Sequence, residues 1–310
     1  VSIVLCTLYE GDYHHGVAAL ANSLASSGFA GELVVGVRGR PPAWAGAGAA
    51  GDSGPVTLSA TPALTLRFVP LDTTMHLTLF KPTFMLEVLN EHARDADVVA
   101  YIDPDIVVKC PWHNLAPWLI SADVCAIEDV NGRLPNTAPL RTLWRQHFAA
   151  KALIEVRAID SYVNGGFVSA SRDASLFLTT WQRLCADARE IMGEDAGLHV
   201  GHGTSLFSTP DQDALNMALM VTDVTVGLAD PASMDFAAGG EYLSHAIGAR
   251  KPWRGRFIRN ALGGTPPSKA AKFYLHYADG PVRSHSRREL SRMKASQQTA
   301  SLIGRFYRRA

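Results

Sequence analysis

Short runs of apolar and β-branched residues alternate along the chain with stretches whose apolar positions recur at helical spacing. VSIVLCTL (Val1–Leu8) reads as a buried strand, Gly16–Ser27 as a helix and ELVVGV (Glu32–Val37) as a second strand. A strand–helix–strand opening predicts parallel pairing with helices packed on the sheet. Arg38–Ala63 is rich in Gly, Pro and Ala without periodicity and is expected to be a flexible surface insertion. LTLRFVP resumes the sheet at Leu64, the apolar positions Phe84, Leu86, Val88 and Leu89 predict a helix over Pro82–Ala93, and DVVAY (Asp97–Tyr101) predicts a central strand.

Further along, ADVCAIED (Ala122–Asp129) and YVNGGFVSA (Tyr162–Ala170) read as strands, Ala174–Ile191 as a helix and the glycine-rich Met192–Thr209 as a loop. Pro210 suits the first turn of a helix, PDQDALNMALM, and VTDVTVGLA follows as a strand. The remaining residues are expected to form loops and short helices packed against the body. No repeat or linker interrupts the pattern. The expected organisation is one mixed α/β domain over residues 1–280 with a C-terminal extension over 281–310.

The 310 residues balance 29 basic against 29 acidic side chains. From Pro281 onward, however, eight basic residues face one acid, Glu289, a surplus of seven that leaves residues 1–280 with an equal deficit. Nucleic-acid binding by the body is disfavoured, whereas the tail suits an anionic surface or a subunit contact. Leu290, Met293, Leu302, Ile303, Phe306 and Tyr307 are interspersed there, as in a helix lying on anionic lipid. No apolar run approaches the roughly 18–20 residues that cross a bilayer. VSIVLCTL has no basic leader and is expected to be a strand and not a signal peptide, although a start at Val leaves a removed leader open. The cysteines Cys6, Cys110, Cys125 and Cys185 are scattered without zinc spacing, which points to a reducing, cytoplasmic setting.

Three segments carry candidate chemistry. Asp103-Pro104-Asp105 ends a predicted buried strand, where extended geometry turns both carboxylates to one side. Paired carboxylates at a strand's carboxyl end suit Mg²⁺ or Mn²⁺, and a divalent ion there can bridge a diphosphate leaving group. A plain strand-capping turn is the other reading of the same three residues. His245-Ala246-Ile247-Gly248-Ala249-Arg250-Lys251-Pro252-Trp253 combines an imidazole, a glycine permitting close backbone approach and a cation for phosphate, or else is a surface loop. The loop TLYEGDYHHG (Thr7–Gly16) leads to a helix start and offers Tyr13 to stack on a planar base, or is a solvated turn.

In their order along the chain, TLxxxxYxxG, DxD after VVAYI, YVNGGF, DQDALN and HxxGxxKPW resemble glycosyltransferase family 8, over roughly Val1–Trp253. The resemblance implies a GT-A fold, a single Rossmann-like domain with a mixed, mostly parallel central sheet, and retaining transfer of a hexose from a UDP-sugar with Mn²⁺ or Mg²⁺ bound. It makes Asp103, Asp105 and His245 the metal ligands. Asp103, Lys251, Gly248, Thr7, Leu8 and Tyr13 become nucleotide contacts, with Lys81 reaching the nucleotide side. Asn164, Gly165, Gly166 and Asp129, or Glu128 in place of Asp129, contact the donor sugar, and Asp211 and Gln212 lie beneath it as the catalytic pair.

Three departures accompany this resemblance. Glu10 and Asp12 compete for the acidic position of the uridine loop, the Arg38–Ala63 insertion has no matching role, and His276 competes with His245. The expected partners are a nucleotide sugar and a saccharide acceptor, glycan or lipid-linked, with homo-oligomerisation open. A nucleotide-sugar binder without catalysis is the alternative. A sugar nucleotidyltransferase is disfavoured, because no Gly-rich, Arg-containing loop follows the first strand. The hexose, acceptor and linkage stay undetermined at this level.

Overall fold

The computed structural model describes residues 1–46, 55–193 and 205–306. In chain order the elements are β1 (Ile3–Glu10), α1 (His14–Ser27), β2 (Gly31–Arg38), β3 (Val56–Thr61), β4 (Leu64–Pro70), α2 (Leu77–Glu87), β5 (Val98–Ile102), β6 (Ile106–Val108) and α3 (Trp112–Leu119). There follow β7 (Val124–Arg133), α4 (Pro139–Ala150), β8 (Ser161–Ser171), α5 (Ser175–Met192), α6 (Pro210–Val221), β9 (Val226–Ala229), β10 (Leu243–His245), α7 (Phe257–Leu262), α8 (Lys269–Tyr277) and α9 (Arg287–Ile303). Eight strands belong to a mixed sheet flanked by helices, and β6 and β10 form a separate pair. The α/β class read from the sequence is therefore present. The chain divides into two compact units.

The first unit comprises Val1–Leu8, Asp72–Ile102 and Leu115–Pro231. Its strands run in the order β1-β5-β8-β7-β9. β5 pairs parallel with β1 (Ile3↔Val98) and antiparallel with β8 (Tyr101↔Val168), while β7 pairs antiparallel with β8 and parallel with β9. Every residue of β5 is buried, which is why its sequence reads as a continuous apolar run without alternation. α6 is buried along nearly its whole length, polar residues included, and those residues reappear in the site. α2 begins earlier than the Pro82 start read from the sequence: it opens at Leu77, and Pro82 lies inside it. The strand read over VTDVTVGLA is confined to Val226–Ala229. Of the predicted loop Met192–Thr209, residues 194–204 lie outside the described residues.

The second unit comprises Tyr9–Leu71, Asp103–Asn114 and Ala232–Ala310. β2 pairs parallel with β4, and β3 pairs antiparallel with β4 through Leu58↔Leu66. The Arg38–Ala63 segment is thus not wholly an irregular insertion. Its second half supplies a half-buried edge strand, and Trp44 packs on Phe68 and donates its indole N–H to His14 Nδ1 (3.1 Å). Residues 47–54 of that segment lie outside the described ones.

The C-terminal helices share one apolar cluster in which Leu290, Met293 and Ala300 of α9 meet Trp253, Phe257 and Tyr274. A reciprocal capping box between Ser286 and Glu289 starts α9. Leu290 and Met293, read from the sequence as part of a lipid-facing stripe, are therefore buried in protein, while Leu302 and Phe306 are exposed. Tyr307, Arg308 and Arg309 lie outside the described residues. Among the described residues no helix is long and apolar enough to cross a membrane. All four cysteines are buried and unpaired.

Candidate functional site

In the second unit, the tight turn Asp103-Pro104-Asp105 leads directly into β6, closed by an Ile106 N–H bond to the Asp103 carbonyl (3.0 Å). β10 runs antiparallel to β6 with His245 opposite Ile106, and the Ala246 N–H bonds the Asp105 carbonyl. This short ladder brings together residues far apart in sequence. His245 Nε2 lies 3.2 Å from Asp105 Oδ1 and 4.0 Å from Asp103 Oδ2. One ligand atom from each of the three residues falls within 4.8 Å of the others, the only such group of three among the described residues.

Lys251 completes the charge pattern. Its ammonium lies 2.5 Å from Asp105 Oδ2, bonds the Ala246 carbonyl (2.9 Å) and sits 5.6 Å from the centre of the Tyr13 ring. Burial alone would raise the Asp105 pKa, but His245 and Lys251 overcome it and hold this carboxyl well below the ordinary carboxylate range. Burial disfavours the Lys251 cation, yet Asp105 keeps the ammonium charged and its pKa above the ordinary lysine value. Gly248, with φ +82°, turns the chain between His245 and Lys251 in a conformation that side chains with a Cβ rarely adopt.

The three side chains fit a divalent cation. Two carboxylates and an imidazole form an oxygen–oxygen–nitrogen set, which suits Mn²⁺ better than an all-oxygen ion such as Mg²⁺. Nε2 of His245 faces the carboxylates, whereas Nδ1 is buried without a hydrogen-bond partner among the described residues. A bound cation would accept the Nε2 lone pair and spare the carboxylates their mutual repulsion. His276 is no competitor: it is exposed on α8, with its ring against Tyr277.

The loop before α1 belongs to the same unit. Tyr13 packs edge-on against Trp253 (5.0 Å between centroids). Glu10 and Asp12, the two candidates for one acidic position, are both paired: Glu10 with Arg38 (2.6 Å) and Asp12 with Arg254 (2.9 Å). Gly16, the last position of the TLxxxxYxxG motif, had no role of its own assigned from the sequence and is a positioning residue. A Cβ there would overlap the Pro104 carbonyl, so only glycine lets the first turn of α1 abut the Asp-Pro-Asp turn. The motif marks the glycine but not its contact with Pro104, because the two segments are far apart in the chain.

In the first unit, a second constellation forms between β8 and α6. The Gln212 side-chain oxygen accepts from the Gly165 N–H (3.0 Å) and the Asn164 amide (3.2 Å), and the same Asn164 amide donates to Asp129 (2.7 Å). The Gly166 N–H bonds the Asn164 oxygen. Asp129 is therefore the acid beside Asn164, whereas Glu128 accepts from the Ser161 hydroxyl.

Lys81, expected toward a nucleotide, places its ammonium on Asp211 (3.0 Å) and the Gly165 carbonyl (2.8 Å). Trp181 donates to the Asp211 carbonyl. Asn216 fixes α6 onto β8 by exchanging bonds with both the N–H and the carbonyl of Val163 (2.9 and 3.0 Å). Asp213 reaches back to the N–H groups of Ser208 and Thr209 and accepts from Tyr162, and burial pushes its pKa up to about 6. The periodicity of DQDALN shows a helix but not which of its polar residues serve architecture, as Asp213 and Asn216 do. Thr7 and Leu8 of β1 are buried in this unit, and the Thr7 hydroxyl has no hydrogen-bond partner among the described residues.

No protein-family model and no curated protein matches the chain. Solved structures do match, and those below are glycosyltransferases. The bifunctional glycosyltransferase WbbM, in its apo form, shares 15% identity with a TM-score of 0.53, covering 96% of this chain and 52% of WbbM. GlyE of Streptococcus pneumoniae TIGR4 shares 13% identity with a TM-score of 0.52, covering 97% of this chain and 64% of GlyE. The galactosyltransferase LgtC, in complex with donor and acceptor sugar analogs, shares 16% identity with a TM-score of 0.49. The chain thus spans about half the length of WbbM and under two thirds of GlyE. The fold is that of WbbM and GlyE, a glycosyltransferase fold of the GT-A type.

Proposed function

We propose that the chain is a metal-dependent retaining glycosyltransferase, similar to family 8, that moves a hexose from a UDP-sugar to a saccharide acceptor. The observation that carries this reading is the meeting of Asp103, Asp105 and His245 beside Lys251, in a chain with a glycosyltransferase fold. A cation held by those three side chains would supply positive charge to a departing diphosphate. Lys251 would add its own charge to the same phosphates, Gly248 would let the backbone approach them, and Tyr13 would stack on the base. Thr7 and Leu8 are assigned to the uridine on the TLxxxxYxxG motif.

Asn164, Gly165, Gly166 and Asp129 are assigned to the hexose. Asp211 and Gln212 are assigned beneath its anomeric carbon. The Gln212 oxygen already accepts two hydrogen bonds, so it is a poor nucleophile and acts by orientation. Asp211 is paired with a buried ammonium, which lowers its appetite for a covalent bond. Both features favour a front-face route, in which the acceptor hydroxyl approaches on the side of the leaving diphosphate and passes its proton to a phosphate oxygen.

Assays of donor hydrolysis and transfer with UDP-glucose, UDP-galactose and their N-acetyl forms, with Mn²⁺ and with EDTA, test the proposal. Metal-dependent turnover is expected, abolished by Asp105→Asn with the fold intact. Full activity of that variant without metal would refute the mechanism. UDP-sugar binding without turnover would identify a binder instead.

A further inference from the structure

The segment after His245 lines a cavity of about 790 Å³ within the second unit. Its wall carries Arg250, Lys251, Arg254, Arg256 and Arg259 and, among the described residues, no acidic one. Two of these cations are neutralised, Arg254 by Asp12 and Lys251 by Asp105. Among the described residues the Arg250 side chain donates only to the neutral Thr265 hydroxyl. Among the described residues the Arg256 and Arg259 side chains have no ion-pair or hydrogen-bond partner.

Three uncompensated guanidinium groups in one concavity repel each other and concentrate positive potential there, a cost that a bound anion removes. The guanidinium fork matches the paired oxygens of phosphate. α8, nine residues long, starts at this wall behind Ser268, so its N-terminal dipole adds to the same field. Phe257, Pro266 and Ala271 line the cavity as well, giving an apolar surface to whatever carries the anion.

We propose that this cavity binds a phosphate or diphosphate group at Arg250, Arg256 and Arg259, separately from the donor phosphates assigned to Lys251, and that the group belongs to a phosphorylated acceptor. Lys251 is common to the cavity wall and to the ion pair with Asp105, so a molecule anchored here lies next to the candidate cation ligands. The phosphate site stands on the cavity alone, whereas its assignment to an acceptor rests on the glycosyl-transfer reading.

The test is a calorimetric titration of the full chain with inorganic pyrophosphate in EDTA and low salt. Binding is expected, weakened about tenfold or more by Arg256→Glu/Arg259→Glu and largely kept by Arg256→Lys/Arg259→Lys, with steep weakening as salt rises. Both arginines are exposed, and circular dichroism checks the fold; if the doubly reversed chain does not fold, Arg259→Glu alone serves. No pyrophosphate binding by the parent chain, or equal affinity in the charge-reversed variant, overturns the site.

Two further arms separate the sources and the readings. Sedimentation with phosphatidylglycerol but not phosphatidylcholine vesicles, lost on charge reversal, assigns the phosphate to a lipid headgroup. Pyrophosphate binding without vesicle binding assigns it to a soluble phosphorylated acceptor. A parallel titration of the parent chain with UDP and Mn²⁺ reports the donor site: pyrophosphate binding that survives while UDP–Mn²⁺ binding is absent keeps the cavity and removes glycosyl transfer.

Discussion

Replacing Lys81 isolates one buried charge whose partner is known. The Lys81 side chain is 3% exposed and that of Asp211 12%, with 3.0 Å between ammonium and carboxylate. Lys81→Met removes the ammonium and leaves a largely desolvated carboxylate, and the Gly165 carbonyl loses a donor with it. Breaking a buried pair in this way costs about 3–5 kcal/mol, with the lower half expected because Asp211 keeps some solvent. With an unfolding entropy of about 2.1 cal/mol/K per residue, each kcal/mol is worth about 1.5 °C in a chain of 310 residues, and the melting temperature should fall by about 5–6 °C.

Lys81→Met/Asp211→Leu removes both charges and should recover most of the loss, since a pair replaced by apolar groups of similar volume is often near neutral. Thermal and urea unfolding of the parent, the two single variants and the double variant measure the coupling directly. A Lys81→Met melting temperature within about 1 °C of the parent, or a double variant no better than the singles, would refute the claim that this ammonium is committed to Asp211.

Acidification should act on the His14–His15–His285 group, in which the His15 and His285 rings stack 4.2 Å apart. Burial and the neighbouring histidines pull the His15 pKa down to about 4, below the unperturbed 6.5, so between those values the unfolded chain binds the extra proton. Stability should be undiminished near pH 7 and decline as the pH falls through that window, with a shallower decline in His15→Gln. A melting temperature flat from pH 7 to about 4 would contradict this. Gly16→Ala should destabilise the chain and weaken Mn²⁺ binding together, because the added Cβ displaces the Pro104 carbonyl between the two aspartates. Unchanged Mn²⁺ affinity with reduced stability would show that the turn does not transmit the displacement.

Much of the sheet was readable because its central strands are buried on both faces. β5 and the start of β1 are unbroken apolar runs, the pattern of strands covered on both faces. β3 escaped notice because an edge strand buries only alternate residues, and here the strand follows a stretch of Gly, Pro and Ala. The two-stranded pair β6–β10, which brings His245 to the aspartates, is too short to show periodicity. The motif order had nonetheless pointed to all three residues. Lys81 was readable as functional but not as the partner of Asp211, because an ion pair between α2 and α6 is a tertiary fact. In the tail, spacing identified the apolar positions of α9 without revealing that Leu290 and Met293 are buried in a cluster with Phe257 and Tyr274.

The most direct test of the cation centre is electron paramagnetic resonance of Mn²⁺ titrated into the full chain with UDP present. One tightly bound Mn²⁺ per chain is predicted, its signal lost in Asp105→Asn and His245→Ala while both variants stay folded. Equal Mn²⁺ binding by the parent and both variants would mean that the ion, if any, lies elsewhere, and the assignment of Asp103, Asp105 and His245 would fall.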